Sequence, residues 1–164
     1  PGAILGVNIH IVAPKSLQPN RDVQDIAQQK AAESGATLMI TDDITAGVAG
    51  ADVLYTDVWA SMGEESAFAE RIKCLLPYQI NQALVSATGN PNVIVLHDLP
   101  AFHDLNTTVA QQIYEKYGLT EMEITDEIFN APFAYQFDQA ENRLHTSKAV
   151  MAATLGHMFL PIGY

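Results

Sequence analysis

The sequence predicts an α/β fold in which helices cover both faces of a parallel sheet. Short apolar runs rich in β-branched residues alternate along the chain with segments of helical periodicity, which is typical of parallel sheets. The run at residues 93–97 is almost continuously apolar, as expected for a central strand that is covered on both faces. Repeats, low-complexity tracts and linkers are absent from the 164 residues, so we expect one domain.

Turn-forming residues mark the ends of the expected strands. Pro14 ends the first strand, and the turn Gly89-Asn90-Pro91-Asn92 leads into the fourth. The expected strands are residues 7–13, 37–41, 53–56, 93–97 and 122–125.

Helices are expected between these strands. Gly35 and Gly118 close two of them, because glycine readily adopts the left-handed conformation that ends a helix. The last helix is expected to open at Asp138, with Glu141 three residues on in a capping-box-like pattern. The earlier helices are expected at residues 20–34 (or from 22), 43–47 (or to 50), 64–76, 78–87 and 106–117. The packed face of the last helix is expected to consist of Ala140, Leu144, Ser147, Met151 and Leu155.

The composition excludes several classes of function. Hydrophobic residues make up 48% and charged residues 16%, which is typical of a globular chain, and no apolar run approaches the ~20 residues of a membrane span. The net charge of -11 leaves no basic footprint for nucleic acid. Cys74 is the only cysteine, which excludes an internal disulfide and favours a reducing setting. We therefore expect a cytoplasmic protein that binds neither nucleic acid nor membrane.

The segment after the third expected strand is the first candidate site. Asp57 ends the strand, and Ser61 and Met62 follow in a loop. In open α/β sheets ligands bind at the carboxyl ends of the strands. A carboxylate, a hydroxyl and free backbone N–H groups suit a ligand that carries both an ammonium and a carboxylate. The alternative is a strand-end loop with helix caps, in which Trp59 serves as a packing anchor.

The segment His97-Asp98-Leu99-Pro100-Ala101-Phe102-His103-Asp104 is the second candidate site, again at the carboxyl end of a strand. The residue before proline avoids the helical region, so Leu99 is expected to be extended or in a turn and to expose its carbonyl group. The two histidine–aspartate pairs of this segment also suit zinc or iron. Their spacing matches no defined metal motif, so we favour hydrogen-bonded histidines at a strand end.

Arg143, in the second turn of the last expected helix, is the third candidate. A guanidinium near a helix N-terminus can bind a phosphate or carbamoyl oxygen through two hydrogen bonds. A salt bridge with Glu141 or Asp138 is the alternative.

Three motifs of this chain resemble, in the same order, those of one enzyme family. Residues 57–63, Asp-Val-Trp-Ala-Ser-Met-Gly, resemble the ornithine-binding loop of the ornithine carbamoyltransferase family. Residues 97–104, His-Asp-Leu-Pro-Ala-Phe-His-Asp, resemble its His-Cys-Leu-Pro loop, and residues 137–146 are similar to its last-helix motif. The resemblance covers nearly the whole chain and implies the second, Rossmann-like, amino-acid-binding domain. Aspartate carbamoyltransferases fit less well because they lack the Ser-Met-Gly loop.

The resemblance implies transfer of a carbamoyl group from carbamoyl phosphate to the δ-amine of L-ornithine, giving citrulline and phosphate. It implies no metal and no organic cofactor. At the amino-acid end, Asp57 would accept hydrogen bonds from the α-ammonium group. Ser61 and the Met62 backbone would hold the α-amino and α-carboxylate groups.

At the carbamoyl end, the resemblance places the Leu99 carbonyl opposite the δ-amine and the carbamoyl group. Arg143 would bind carbamoyl phosphate, and His97 would border the carbamoyl oxygen. Asp98 stands where the family has cysteine. A carboxylate there would stabilise the δ-ammonium form and disfavour the neutral nucleophile, so we expect weakened turnover.

The resemblance also bears on domain content. The family's N-terminal half, with its Ser-x-Arg-Thr phosphate-binding loop, has no counterpart in residues 1–164, and neither do the first strand and helix of the ornithine-binding domain. We therefore expect the isolated chain to be catalytically inactive and to belong to a homo-oligomer, a trimer or a multiple of trimers, in a full-length enzyme. Two alternatives remain open: a non-catalytic amino-acid-binding or regulatory module, and a carbamoyltransferase that uses another amine such as a diamine.

Overall fold

Four short strands form two parallel pairs in the computed structural model, which describes residues 1–59 and 68–156. β1 (Ile9–Val12) pairs with β2 (Leu38–Thr41), and β3 (Val53–Asp57) pairs with β4 (Ile94–Asp98). At least one helix separates each strand from the next. The predicted α/β class with parallel strands is therefore confirmed.

Seven helices are found within the described residues, and local signals set most of their ends. Asp43, Asn81 and Thr107 each accept a backbone N–H at a helix N-terminus, while Gly35 and Gly118 adopt positive φ at two C-termini, as predicted. The helices are α1 (Arg21–Ser34), α2 (Ile44–Val48), α3 (Phe68–Leu75), α4 (Gln82–Ala87), α5 (Thr108–Tyr117), α6 (Asp126–Phe129) and α7 (Gln136–Leu155). None of them is both long and apolar enough to cross a membrane.

Two of the expected elements differ from those in the structure. Residues 122–125 form no strand, because only Ile124 pairs, in a single parallel bridge with Ile80. The helix expected at residues 78–87 begins at Gln82, after a 3₁₀ turn at Leu76–Tyr78. Residues 64–67, expected to begin another helix, lie outside the described residues.

The predictions for the last helix were wrong in two respects. α7 begins at Gln136 behind Tyr135, which makes no side-chain cap, so Asp138 lies in the first turn instead of opening the helix. The expected packed face is open: Leu144 is 65% exposed and Leu155 is 83% exposed. Apolar periodicity marks a face that is able to pack, and no described element covers this one.

The core lies mainly on the β3–β4 side of the molecule. The main cluster comprises Val48, Leu54, Ile80, Val85, Val93, Val95, Ile124, Ile128 and Phe129. The second cluster comprises Trp59, Phe68, Ile113 and Met122. β1 and β2 contribute no residue to either cluster, so the two strand pairs differ strongly in burial.

A groove of about 1020 Å³ separates the two strand pairs. Residues 7–13, which include β1, and residues 47–59, which include β3, line it. Within residues 1–59 and 68–156, the edges of β1 and β3 that face this groove have no strand partner. The chain runs outward from the groove in both directions, from β1 to β2 and from β3 to β4. In doubly wound sheets the ligand crevice lies at the carboxyl ends of the strands beside such a point.

Candidate active site

Asp57 and Asp98 occupy the last positions of two neighbouring parallel strands. They are register partners in the β3–β4 pair, and both are exposed. Adjacent strands lie only about 4.8 Å apart, and residues in register face the same side of the sheet. One oxygen of Asp57, Oδ1, accepts the Val58 N–H at 2.7 Å. The carboxyl edge therefore presents two carboxylates side by side, which is an arrangement suited to an ammonium group.

Trp59 fixes the beginning of the loop after β3. Its side chain is 7% exposed and packs in the second cluster, so the prediction of a packing anchor is confirmed. Ser61 and Met62, the other predicted ligand contacts of this loop, lie outside the described residues.

His97 and Asp98 have opposite environments although they are neighbours in β4. The His97 side chain is fully buried, and its Nε2 atom lies 3.1 Å from Glu123 Oε1. The ring also meets the edge of Phe129, with 6.4 Å between ring centroids. A hydrogen-bonded histidine at the strand end is the interpretation that the sequence favoured. The contact of His97 with a carbamoyl oxygen stays a prediction.

The segment after Asp98 is packed against both core clusters. Leu99 and Ala101 contact the main cluster, and Phe102 contacts the second cluster. The peptide bond between Leu99 and Pro100 is cis. The loop therefore rests on the core while Asp98 faces solvent, and the role of the Leu99 carbonyl stays a prediction.

His103 forms a second polar cluster beyond this loop. Its Nδ1 atom lies 2.7 Å from Asp126 Oδ1 and 4.0 Å from Asp104 Oδ2, and its ring stacks on Phe129 with 3.7 Å between centroids. Hydrogen bonds from Asn106, the backbone bond above all, lower the pKa of Asp104. His103, Asp104 and Asp126 offer three ligand atoms within 4.8 Å of one another, as a metal site would. Hydrogen bonds within the protein already account for this geometry, so it does not require an ion.

Helix α7 starts from the β3–β4 sheet. The Tyr135 N–H donates to the Val95 carbonyl at 2.9 Å, and Gln139 Nε2 donates to the Tyr55 hydroxyl at 3.0 Å. These two contacts fix the first turn of the helix against both strands of the candidate site.

Arg143 lies one helical turn beyond Gln139 and is exposed. Within the described part of the chain it forms no ion pair with Asp138 or Glu141, so the intrahelical salt bridge of the alternative interpretation is not present. Its binding of carbamoyl phosphate stays a prediction.

Comparison with models of protein families identifies the family of this chain. Residues 2–154 match the model of the aspartate/ornithine carbamoyltransferase, Asp/Orn binding domain. The chain belongs to this carbamoyltransferase family. It is 59% identical over 160 residues to the catabolic ornithine carbamoyltransferase of Latilactobacillus sakei, covering 98% of this chain and 48% of the relative. It is 61% identical to the catabolic enzyme of Streptococcus ratti, with the same coverage. The chain thus spans about half the length of the curated relatives it matches.

Solved carbamoyltransferases share the fold. The ornithine carbamoyltransferase from Pyrococcus furiosus matches with a TM-score of 0.79 and 37% identity, over 96% of this chain and 45% of that one. The anabolic ornithine carbamoyltransferase from Campylobacter jejuni matches with a TM-score of 0.74 and 31% identity, over 92% and 44%. The family resemblance and the fold class are therefore confirmed.

The sequence interpretation missed Glu123, although the structure places it directly beneath the second candidate loop. A signal was present: Glu123 stands between Met122 and Ile124 in a segment with buried-strand character. A carboxylate in such a segment needs a polar partner, because burying an unpaired charge is costly.

Proposed function

We propose that this chain is the L-ornithine-binding part of an ornithine carbamoyltransferase, which carbamoylates the δ-amine of L-ornithine to give citrulline and phosphate. The observation that carries the proposal is Asp57, an exposed carboxylate inside the first loop motif at the carboxyl edge of the sheet, where its register partner Asp98 places the second loop motif beside it. The names of the relatives at 59% and 61% identity support ornithine as the amino acid.

In this proposal the loop after β3 binds the amino-acid end of the substrate. Asp57 accepts hydrogen bonds from the α-ammonium group, and Ser61 with the Met62 backbone holds the α-carboxylate end. The support is that Asp57 is exposed, that its Oδ1 accepts the Val58 N–H, and that Trp59 is buried in the second cluster.

The reacting end of the substrate lies at the loop after β4. The neutral δ-amine attacks the carbamoyl carbon while the Leu99 carbonyl accepts a hydrogen bond from that amine. The bond from the carbamoyl carbon to the phosphate oxygen then breaks, and the leaving phosphate takes up the proton that the amine loses. Arg143 binds carbamoyl phosphate, and His97, whose side chain is fully buried, lies behind the loop that borders the carbamoyl oxygen. No described group forms a covalent bond in this scheme, so positioning and stabilisation of the developing oxyanion supply the catalysis.

Asp98 makes this enzyme slower than one with a neutral residue at the same position. A carboxylate beside the δ-ammonium group raises the pKa of that amine, so less of the substrate is the neutral nucleophile. The same carboxylate also places negative charge near the phosphate of carbamoyl phosphate.

We also infer that the working enzyme contains a second half, which binds carbamoyl phosphate, and that it is a cytoplasmic homo-oligomer, a trimer or a multiple of trimers. The support for the second half is that the chain covers 48% of its curated relatives. The groove between β1 and β3, which has two strand edges without partners in the described residues, supports a further strand of the ornithine-binding domain itself. A strand in that groove would satisfy the backbone groups of both edges.

The experiment joins this chain to the half of the Latilactobacillus sakei relative that it does not cover, and the product is called the joined transferase below. Citrulline formation from carbamoyl phosphate and L-ornithine is expected. Asp57→Asn should lower kcat/KM for ornithine about 10- to 100-fold, the loss expected for a hydrogen bond to a charged group. The matched control is Asp25→Asn, an exposed position in α1 whose ion pair with Arg21 is solvent-screened, and it should change nothing. Absence of citrulline, or full activity of Asp57→Asn, contradicts the proposal.

A further inference from the structure

A buried carboxylate holds both ends of the loop that follows β4. Glu123 is 0% exposed, and its Oε1 atom accepts the Phe102 N–H at 2.6 Å while lying 3.1 Å from His97 Nε2. One oxygen therefore connects the last buried residue of β4 with the residue that follows the loop. The segment between those two anchors is residues 98–101, which contains Asp98 and the Leu99 carbonyl.

Glu123 is itself fixed by its own backbone. Its carbonyl accepts the Ile80 N–H at 2.9 Å, and the Ile80 carbonyl in turn accepts the Thr125 N–H at 3.0 Å. The neighbouring Met122 N–H donates to the Phe102 carbonyl at 2.8 Å. The carboxylate is thus presented from a rigid support, which is the condition under which a buried charge positions other groups accurately.

The contacts of this pair follow from its geometry. The Phe102 amide can only donate, so Glu123 Oε1 accepts its hydrogen, and the same oxygen lies within hydrogen-bonding distance of His97 Nε2. Within the described residues, His97 Nδ1 and Glu123 Oε2 are buried and have no hydrogen-bond partner. An apolar side chain at position 123 would also leave the Phe102 N–H and His97 Nε2 without this acceptor, and unpaired polar atoms in the interior are costly.

We propose that Glu123 is a positioning residue of the transfer reaction, which sets the backbone of residues 98–101 so that the Leu99 carbonyl meets the δ-amine. The inference rests on the proposed function. Because Glu123 is fully buried, it acts through His97 and the Phe102 amide, and it does not contact the substrate.

The test compares two substitutions in the joined transferase. Glu123→Gln keeps a carbonyl oxygen for both donors, so kcat should stay within about tenfold of the unsubstituted value. Glu123→Leu withdraws the acceptor from both donors, and kcat should fall about 100-fold, the effect of misplacing reacting groups by about 1 Å, with KM for carbamoyl phosphate unchanged. If Glu123→Leu does not fold, Glu123→Asp, which retracts the carboxylate by one methylene, is expected to lower kcat in its place.

The matched control is Glu121→Gln, two residues away, whose carboxylate accepts the Asp126 N–H at the start of α6; among the described residues, no hydrogen bond joins this side chain to residues 98–101. It should leave kcat unchanged. Hydrogen–deuterium exchange without substrate gives a readout that is independent of activity: Glu123→Leu should accelerate exchange in residues 98–105 and leave α5 unaffected.

The outcomes separate the two proposals. If the unsubstituted joined transferase makes no citrulline, the proposed function fails, and the role of Glu123 in that reaction fails with it. If a folded Glu123→Leu variant keeps full kcat, or exchanges at 98–105 as the unsubstituted protein does, the role of Glu123 is overturned and the proposed function stands.

Discussion

The two strand pairs have the same parallel geometry and very different surroundings. In β4, Val95 is buried in the core and 0% exposed to solvent. It forms a single parallel bridge with Ala134 on the strand edge away from β3. In β1 and β2 no residue is buried, and one edge of β1 lies on the groove. Both candidate carboxylates lie on the well-packed pair. The comparison shows that both carboxylates lie on the pair that contributes residues to the core, while β1 and β2 contribute none.

The largest difference in the free energy of unfolding is expected when one side chain in each region is truncated to alanine. Ile128→Ala, at a 0% exposed position of the main cluster, should lower the free energy of unfolding by about 2–5 kcal/mol. Ile26→Ala in α1, where the side chain is 63% exposed, should change it by less than about 0.5 kcal/mol. Urea denaturation of both variants measures this. Equal losses would show that the β1–β2 side is as well packed as the β3–β4 side.

A smaller effect is expected where α2 contacts β1. Alanine is ordinarily preferred over glycine in a helix by about 1 kcal/mol, yet a Cβ at Gly47 would lie 2.5 Å from Val12 Cγ2 and 3.1 Å from Thr41 Cγ2. Gly47→Ala should therefore destabilise the protein by about 1–3 kcal/mol in thermal or urea unfolding. In a Val12→Ala background the clash is relieved, and the same change should be neutral or stabilising. The same loss in both backgrounds would contradict the contact.

A further effect is expected from Asp98, the carboxylate at the end of β4. In the joined transferase, Asp98→Cys should increase the rate of citrulline formation by about tenfold for each unit by which the carboxylate raises the pKa of the δ-amine. Asp98→Asn, which keeps the shape and removes the charge, should act in the same direction. The measurement is kcat as a function of pH. An unchanged rate in both variants would mean that Asp98 does not face the amine.

The smallest effect concerns acid stability at the far end of the second loop. The Asn106 backbone hydrogen bond lowers the pKa of Asp104, so the folded state favours the ionised carboxyl. This stabilisation is complete above the unfolded pKa and is lost as the pH falls through the lower folded pKa. Asp104→Asn should therefore flatten the decline of Tm with pH below about pH 4, where an aspartate normally titrates. An identical decline in both proteins would contradict this role.

The elements that the sequence predicted are those with local signals. Gly35, Gly118 and Asp43 mark helix ends within a few residues of the elements they bound, and the apolar run of β4 is visible without any knowledge of its partners. The candidate loops were found in the same way, because the motif residues lie next to one another along the chain.

The features that the sequence did not predict depend on distant residues. Glu123 meets His97 across 26 positions, and no local pattern encodes that contact. Periodicity in α7 predicted an apolar face correctly and its burial wrongly, because burial requires a partner that periodicity does not specify: Leu144 and Met151 are 65% and 54% exposed. The groove between β1 and β3 likewise depends on which strands are neighbours in space, and local sequence patterns do not specify that.

The most direct test of the central claim is the substrate preference of the joined transferase. The two loops are proposed to recognise an α-amino acid, so kcat/KM should be at least about 100-fold higher for L-ornithine than for putrescine, which has no α-carboxylate to satisfy the site. Asp57→Asn should lower kcat/KM for both amines, because both present an ammonium group to Asp57. Equal or higher kcat/KM for putrescine would contradict the account and favour a diamine as the substrate.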